Sequence, residues 1–464
     1  PSHSFLGVYR KWAVSTDAAP CAIVARKIKG KGGTLADIAV ATLLCMGVVL
    51  PHSMGIGGGF LATYYNATSK KAVTLIAREC APAAAHRDMF VVKPLLAQRG
   101  SWAISFPGML ACPGTHRLRQ VASILWRRCW WDERRVAGVH AREFSEGSAL
   151  SSVLKTCLCR KEANRFLLFV RFRNPFWSQK RNDTRRLGEM LTQPDLAATL
   201  TEIAENGPET FYSGNIADKL IRELRAHNGI MTSEDLRSFR VLWSEPMMAT
   251  LGDGHIVHSV PPPGSGAVYA YIMAIMDGFR NDTTGRLEDS PLTLHRFVEA
   301  SKFGYAKRAL LGDPAFLNVT ELVDRLTSSE YAAETRKKIN DKRTFLPAYY
   351  SDEETETNGH GTAHFSFLDE NGDAIAVSSS INTYFGSKLR VNGIVLNNQM
   401  DDFSTPGASN FYRVMPSETN FIAPGKRPMS SMVPVVITNK KGSAELVIGG
   451  TGGSKITSGV ALVS

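Results

Sequence analysis

The sequence is poorest in the features that would mark a membrane, metal or nucleotide protein. No stretch approaches the roughly 20 consecutive apolar residues that a membrane-spanning helix requires. The nearest, Ile38 to Leu50, follows Thr34 and Asp37 and reads as a buried helix with a threonine N-cap and an acid in its first turn. No His, Cys, Asp or Glu spacing matches a metal-ligand pattern, so no metal and no cofactor is expected. Gly55-Ile56-Gly57-Gly58-Gly59 lacks the strand, spacing and acid of a dinucleotide site. The 7 cysteines among 464 residues are too few, and odd in number, for a dense disulfide scaffold.

Acidic residues are also in deficit, 43 against 54 basic ones, leaving a formal charge of +11. That excess is local. Between Arg117 and Arg186 there are 17 basic and 6 acidic residues, a surplus equal to the whole net charge. Trp102, Trp126, Trp130, Trp131 and Trp177, five of the 7 tryptophans, fall in or just before the same window. A basic, aromatic surface for single-stranded nucleic acid has this composition, as does a membrane-facing or partner-binding insertion. No nucleic-acid fold signature accompanies it, so no nucleic-acid partner is expected.

With 44% hydrophobic residues the chain is otherwise ordinary globular material, long enough for a large core or two domains. Pattern concentrates near Gly361-Thr362. From there Phe365 and Phe367 fall on one side of an alternating run, Asp369-Glu370-Asn371-Gly372 supplies turn chemistry, and a second run spans Ala374 to Ser380. Asn-Gly between alternating segments predicts a hairpin. Val435 to Thr438, the turn Asn439 to Gly442 and Glu445 to Ile448 predict another. Helical spacing runs from Gln193 to Leu224, broken at Asn206-Gly207-Pro208. Further helices are expected after Pro261-Pro262-Pro263-Gly264-Ser265-Gly266 and over Leu294 to Leu310. Residues 341–361 are polar and weakly patterned, and read as a flexible segment leading into Thr362. Thr362 would then open a core strand. A threonine hydroxyl is a poor nucleophile without a base, and its own freed α-amine can be that base.

Several uncommon strings recur in one order. They are His52-Ser53-Met54-Gly55-Ile56-Gly57-Gly58-Gly59, Ala77-Arg78-Glu79, the run Tyr305 to Pro314, Gly361-Thr362, Ser380 to Ser387, Asn397 to Phe403, Pro424 to Met432 and Gly449 to Gly453. Over roughly residues 8–112 and 187–464 the chain resembles γ-glutamyltransferase, an N-terminal-nucleophile hydrolase. The resemblance implies an α+β fold, a four-layer αββα sandwich. It divides the chain into a large-subunit-like region, 1–361, and a small-subunit-like region, 362–464, C-terminally incomplete against the family. Residues 113–186 depart from the family pattern, with the composition that a reading-frame error or spliced-in sequence would produce, and no function is attached to them.

The resemblance implies self-cleavage between Gly361 and Thr362, yielding large and small subunits from one precursor. It also implies attack by Thr362 on γ-glutamyl amides such as glutathione, with water, an amino acid or a dipeptide as acceptor. Carried over residue by residue, Arg78, Ser430 and Ser431 would hold the substrate α-carboxylate, and Asp402 the α-ammonium with Asn382 and Gln399. Ser380 would bond the new amine, and Gly452 and Gly453 would form the oxyanion hole. Read alone, Arg78 could be a surface charge, Asp401-Asp402 a solvated turn pair, Ser430-Ser431 a helix cap and Gly452-Gly453 a tight turn. His52 and His364 read as structural.

Cys21 and Cys45 match positions that are disulfide-bonded in animal members, and Cys157 and Cys159 lie near a second bridge with altered spacing. With four sequons at Asn66, Asn182, Asn281 and Asn318, this favours a glycosylated, extracellular or cell-surface product. Any membrane anchor would lie upstream of Pro1. The alternative is an uncleaved or degenerate, non-catalytic relative that acts by binding.

Overall fold

The computed structural model describes residues 7–110, 176–178, 182–184, 191–280, 290–350, 361–411 and 415–464. Asn281, Cys157, Cys159 and most of the basic window lie outside the described residues. The strands are β1 (Ala13–Thr16), β2 (Gly59–Asn66), β3 (Lys71–Ala77), β4 (Trp177–Ser178), β5 (Asp183–Thr184), β6 (Leu242–Ser244), β7 (Met247–Thr250) and β8 (Ile256–Ser259). They continue with β9 (Ala363–Leu368), β10 (Ala374–Ser380), β11 (Arg390–Val391), β12 (Ile394–Val395), β13 (Val435–Thr438) and β14 (Ala444–Ile448). One six-stranded sheet has the order β1-β9-β10-β2-β3-β6, and a four-stranded sheet the order β14-β13-β8-β7.

Strand periodicity builds the layers. Along β2, Phe60 and Ala62 join Phe365, Phe367, Ile375 and Val377 in a core capped by the helices Ala19–Lys29 and Leu35–Val49. Leu61 points the other way, into a core shared with Val257, Val435 and the helices Gly266–Asp277, Pro291–Arg308 and Ile456–Val463. Tyr65, Ala374 and Val436 pack together between the sheets. The result is helices, sheet, sheet and helices, the αββα arrangement. Phe365 and Phe367 are both essentially sealed from solvent, and truncating either to alanine would cost about 3–5 kcal/mol.

The hairpin expectations hold. β9 and β10 pair antiparallel across Asp369 to Asp373, where Gly372 takes φ 87°; β13 and β14 pair across Asn439 to Ser443. Thr34 caps the helix Leu35–Val49 in a reciprocal box with Asp37. The disulfide Cys21–Cys45 forms, tying this helix to Ala19–Lys29 with Cα atoms 5.6 Å apart. Of the segment 341–361, residues 351–360 lie outside the described residues, and the described start, 341–350, departs from the polar reading. Pro347–Tyr350 makes a helical turn, and Tyr350 is buried with its hydroxyl donating to Glu299 at 2.5 Å. A partner distant in sequence orders it, which local pattern does not register. No helix among the described residues is long and apolar enough to cross a membrane.

Candidate active site

Hairpin register fixes the centre of the site. Ala363 pairs with Ser379, so the next residues outward, Thr362 and Ser380, come side by side. Thr362 Oγ1 donates to Ser380 Oγ at 3.4 Å, and Ser380 Oγ also accepts the Asn382 N–H at 2.8 Å. Thr362 is buried with φ 137°, an unfavourable value for a β-branched residue. Gly361 before it has φ 101°, and a Cβ there would lie 1.9 Å from the Asn382 carbonyl oxygen. This junction admits only glycine at 361.

Thr362 and Ser380 open onto a cleft whose wall also includes Arg78, Asn382, Asp402, Ser430, Ser431 and Gly453. Residues from six separate places in the sequence thus meet there. Arg78 follows the end of β3 and is buried; its Nε donates to the Pro428 carbonyl at 3.1 Å and its Nη1 to Glu79 at 3.2 Å. Its Nη2 bonds both Asp402 Oδ2 and the Met429 carbonyl. Asp402 ends the turn Gln399–Asp402, and the neighbouring Asp401 points elsewhere, accepting the Phe411 N–H at 3.0 Å. Of the two aspartates, Asp402 is therefore the one on the cleft.

Charge is concentrated and desolvated here. Burial pushes the Asp402 carboxyl above its usual range, opposed by the guanidinium groups of Arg78 and Arg308. Burial likewise pushes Glu79 up to about 7, with Arg78 opposing. Ser430 Oγ accepts the Met432 N–H at 3.1 Å, a bond that leaves its own O–H as a donor. Gly452 and Gly453 take φ 122° and 61°, conformations suited to glycine, where the chain turns from β14 into the helix Ile456–Val463.

Not every expected residue stands on the wall. Gln399 is fully buried behind it, its Nε2 donating to the Ser380 carbonyl at 3.4 Å and its Oε1 without a partner. Gly452 is adjacent to the wall rather than in it. His52 and His364 are structural, as read: burial lowers them to about 4 and about 3, and His364 lies between the hydroxyls of Ser378 and Ser366 at 2.9 Å. Sequence reasoning missed Arg308 and Asn420. Arg308 sat inside the matched run Tyr305 to Pro314 without an assigned chemistry. Asn420 carried no signal; its Nδ2 donates to the Asp402 carbonyl and its Oδ1 accepts the Met429 N–H, stitching the two walls together.

A nucleophile beside a hydroxyl, paired cation and anion, and glycine N–H groups suit acyl transfer from a zwitterionic amide. Comparison decides the family: the model described as Gamma-glutamyltranspeptidase matches residues 21–464. The chain belongs to the gamma-glutamyltranspeptidase family. Among similar proteins, Scoloptoxin SSD14 of Scolopendra dehaani is 37% identical over all of this chain and 79% of its own length. Glutathione hydrolase 3 of Arabidopsis thaliana is 35% identical over 96% of this chain and 68% of its own length. The gamma-glutamyltranspeptidase structure from Helicobacter pylori superposes with TM-score 0.61 at 25% identity, covering 74% of this chain and 96% of that one. A cephalosporin acylase from Bacillus halodurans shares the fold, with TM-score 0.73 at 22% identity over 99% of this chain and 82% of the acylase. As a gamma-glutamyltranspeptidase-family chain it carries the α+β sandwich of these neighbours.

Proposed function

We propose that the chain hydrolyses and transfers γ-glutamyl groups, with glutathione and related γ-glutamyl amides as substrates, through an ester on Thr362. The observation that carries this reading is the Thr362–Ser380 hydroxyl pair, 3.4 Å apart, on the same cleft wall as Arg78 and Asp402.

Maturation comes first. Thr362 Oγ1 attacks the Gly361 carbonyl carbon, the C–N bond breaks, and the acyl group passes from nitrogen to oxygen. Water then cleaves that ester, leaving a Gly361 carboxylate, a free Thr362 hydroxyl and a free α-amine. The φ of Thr362 is defined only while the peptide bond exists, so cleavage removes an unfavourable torsion worth about 1–3 kcal/mol. Residues 1–361 and 362–464 become large- and small-subunit parts.

In turnover the α-amine, with a reference pKa of roughly 8, takes the Oγ1 proton as the hydroxyl attacks the substrate γ-carbonyl. Ser380 accepts a hydrogen bond from this amine and holds it. Gly452 and Gly453 N–H groups meet the tetrahedral oxyanion; loss of one such donor typically costs about 10²–10³ in rate. Collapse returns the proton to the leaving amine and forms the γ-glutamyl ester. Water releases glutamate, whereas an amino acid or dipeptide amine carries the γ-glutamyl group away. Arg78, with the Ser430 and Ser431 hydroxyls, draws the α-carboxylate, and Asp402 takes the α-ammonium beside Asn382. Gln399 acts from behind, bracing Ser380.

An extracellular or cell-surface location fits the Cys21–Cys45 bridge and the exposed sequon asparagines Asn182 and Asn318. Asn66 is less available, since its Nδ2 donates to Tyr64 and Asp373.

The test is intact mass and N-terminal sequencing after incubation at neutral pH, followed by release of p-nitroaniline from γ-glutamyl-p-nitroanilide. A new N-terminus at Thr362, absent in Thr362→Ala, together with turnover, is expected. A chain that stays whole and inert would replace this reading with the non-catalytic one.

A further inference from the structure

Arg308 is a cation of the cleft that the steps above do not use. It ends the helix Pro291–Arg308, and its side chain lines the wall with Arg78, Thr362 and Asp402. The two arginines differ in what they have left to donate. Arg78 is committed to two backbone carbonyls and two carboxylates. No described residue forms a hydrogen bond or ion pair with the Arg308 guanidinium, and its Nε is buried without a partner.

A buried Nε–H without an acceptor is costly, and an anion placed against it removes that cost. Burial accordingly lowers the Arg308 pKa, with Tyr305 and Asp402 the nearby groups that oppose the fall. Beside Arg308 lies a second pocket, bounded by Tyr305, Met415 and Ser417, which meets the first at Arg308, Ser404 and Asn420. The cleft wall carries two guanidinium groups and one carboxylate, Asp402, with Glu79 paired to Arg78 behind it.

We propose that Arg308 is a second binding residue for the α-carboxylate of the γ-glutamyl group, supplying the donors that Arg78 has already given to the protein. The carboxylate lies between two arginines, and the ammonium goes to Asp402. Arg308 is thereby a specificity determinant for amides that retain the α-carboxylate. This rests on the γ-glutamyl reading of the cleft.

The experiment pairs a substrate truncation with a substitution. The substrates are γ-glutamyl-p-nitroanilide and 4-aminobutyryl-p-nitroanilide, which lacks only the α-carboxylate. Arg308→Gln is expected to lower kcat/KM about 10- to 100-fold on the first, mainly through KM, and less than about twofold on the second. Arg308→Lys should recover part of the loss. An equal fall on both substrates, or none on either, overturns the proposal, because a structural arginine does not distinguish them. Should the unaltered chain turn over neither substrate, the γ-glutamyl transfer reading fails by itself. Calorimetric binding of L-glutamate against 4-aminobutyrate then decides Arg308 separately. Selective weakening of glutamate by Arg308→Gln supports the assignment, and unchanged discrimination overturns it.

Discussion

Arg78 Nη2 and Asp402 Oδ2 are bonded to one another inside the cleft, so two groups assigned to opposite charges of a substrate also neutralise each other. Their pairing makes each costly to remove alone. Arg78→Gln leaves Asp402 and Glu79 desolvated without their shared cation; Asp402→Asn leaves Arg78 with Glu79 as its one carboxylate partner. Asp402 keeps some solvent contact (side chain 13% exposed), so we expect each single change to cost about 2–4 kcal/mol. The double variant should cost clearly less than the sum of the two. Urea unfolding of the four members of the cycle checks this, and simple additivity would mean that the pair is not coupled.

Glu79 gives the site a pH signature. Its folded-state value near 7 lies above the usual 4.5, so the folded chain holds this proton where the unfolded chain has released it. Its contribution is therefore fully present below about 4.5 and is lost as pH rises through about 7. His52 and His364 act in the opposite sense. Held neutral by burial, with values lowered to about 4 and about 3 from 6.5, they cost stability as pH falls below 6.5. A raw pH profile mixes the two effects, and Glu79→Gln separates them. The stability of Glu79→Gln relative to the unaltered chain should rise from pH 5 to 7 and level off above, as read from urea midpoints. A difference that stays flat across that range would rule out Glu79 as the titrating group.

The Cys21–Cys45 bridge spans 24 residues of sequence and joins two helices against the outer face of the six-stranded sheet. Loop closure of that length predicts about 3 kcal/mol of stabilisation, on the view that the bridge acts chiefly through the unfolded chain. Cys21→Ser with Cys45→Ser should lower the urea midpoint accordingly while leaving kcat/KM on γ-glutamyl-p-nitroanilide within about twofold. A large loss of kcat/KM would place the bridge in the support of the cleft.

Much of this architecture was legible in the sequence because it is written locally. The β9–β10 and β13–β14 hairpins announce themselves by alternation and turn residues, and Thr34-x-x-Asp37 by its capping geometry. Thr362, Ser380, Arg78 and Asp402 were found through strings that resemble a family, not through any periodicity. What escaped depends on side chains meeting across long separations. Tyr350 is ordered by Glu299 and Asn420 by Asp402 and Met429, and Gln399 turns behind β10 rather than toward the cleft. Arg308 escaped for another reason: what sets it apart is the absence of any described partner for its guanidinium, which only three dimensions reveal.

The Gly361–Thr362 junction tests whether backbone shape prepares the cut. Both residues sit at positive φ, 101° and 137°. Alanine at 361 would drive its Cβ to 1.9 Å from the Asn382 carbonyl, a contact that backbone must move to relieve. Movement there displaces the Gly361 carbonyl from Thr362 Oγ1 and releases torsion before bond cleavage can use it. A strain of about 1–3 kcal/mol expressed in the transition state corresponds to roughly 5- to 150-fold in rate. We therefore expect Gly361→Ala to mature at least about tenfold more slowly than the unaltered chain, with the fold retained by circular dichroism. Thr362→Ser keeps the hydroxyl and loses the β-branch, so it should still cut, more slowly if the strained torsion drives the step. Time courses of the uncut band on denaturing gels measure all three. Normal maturation of Gly361→Ala would mean that the junction relaxes before attack, and that hydroxyl placement by Ser380, rather than stored torsion, sets the rate.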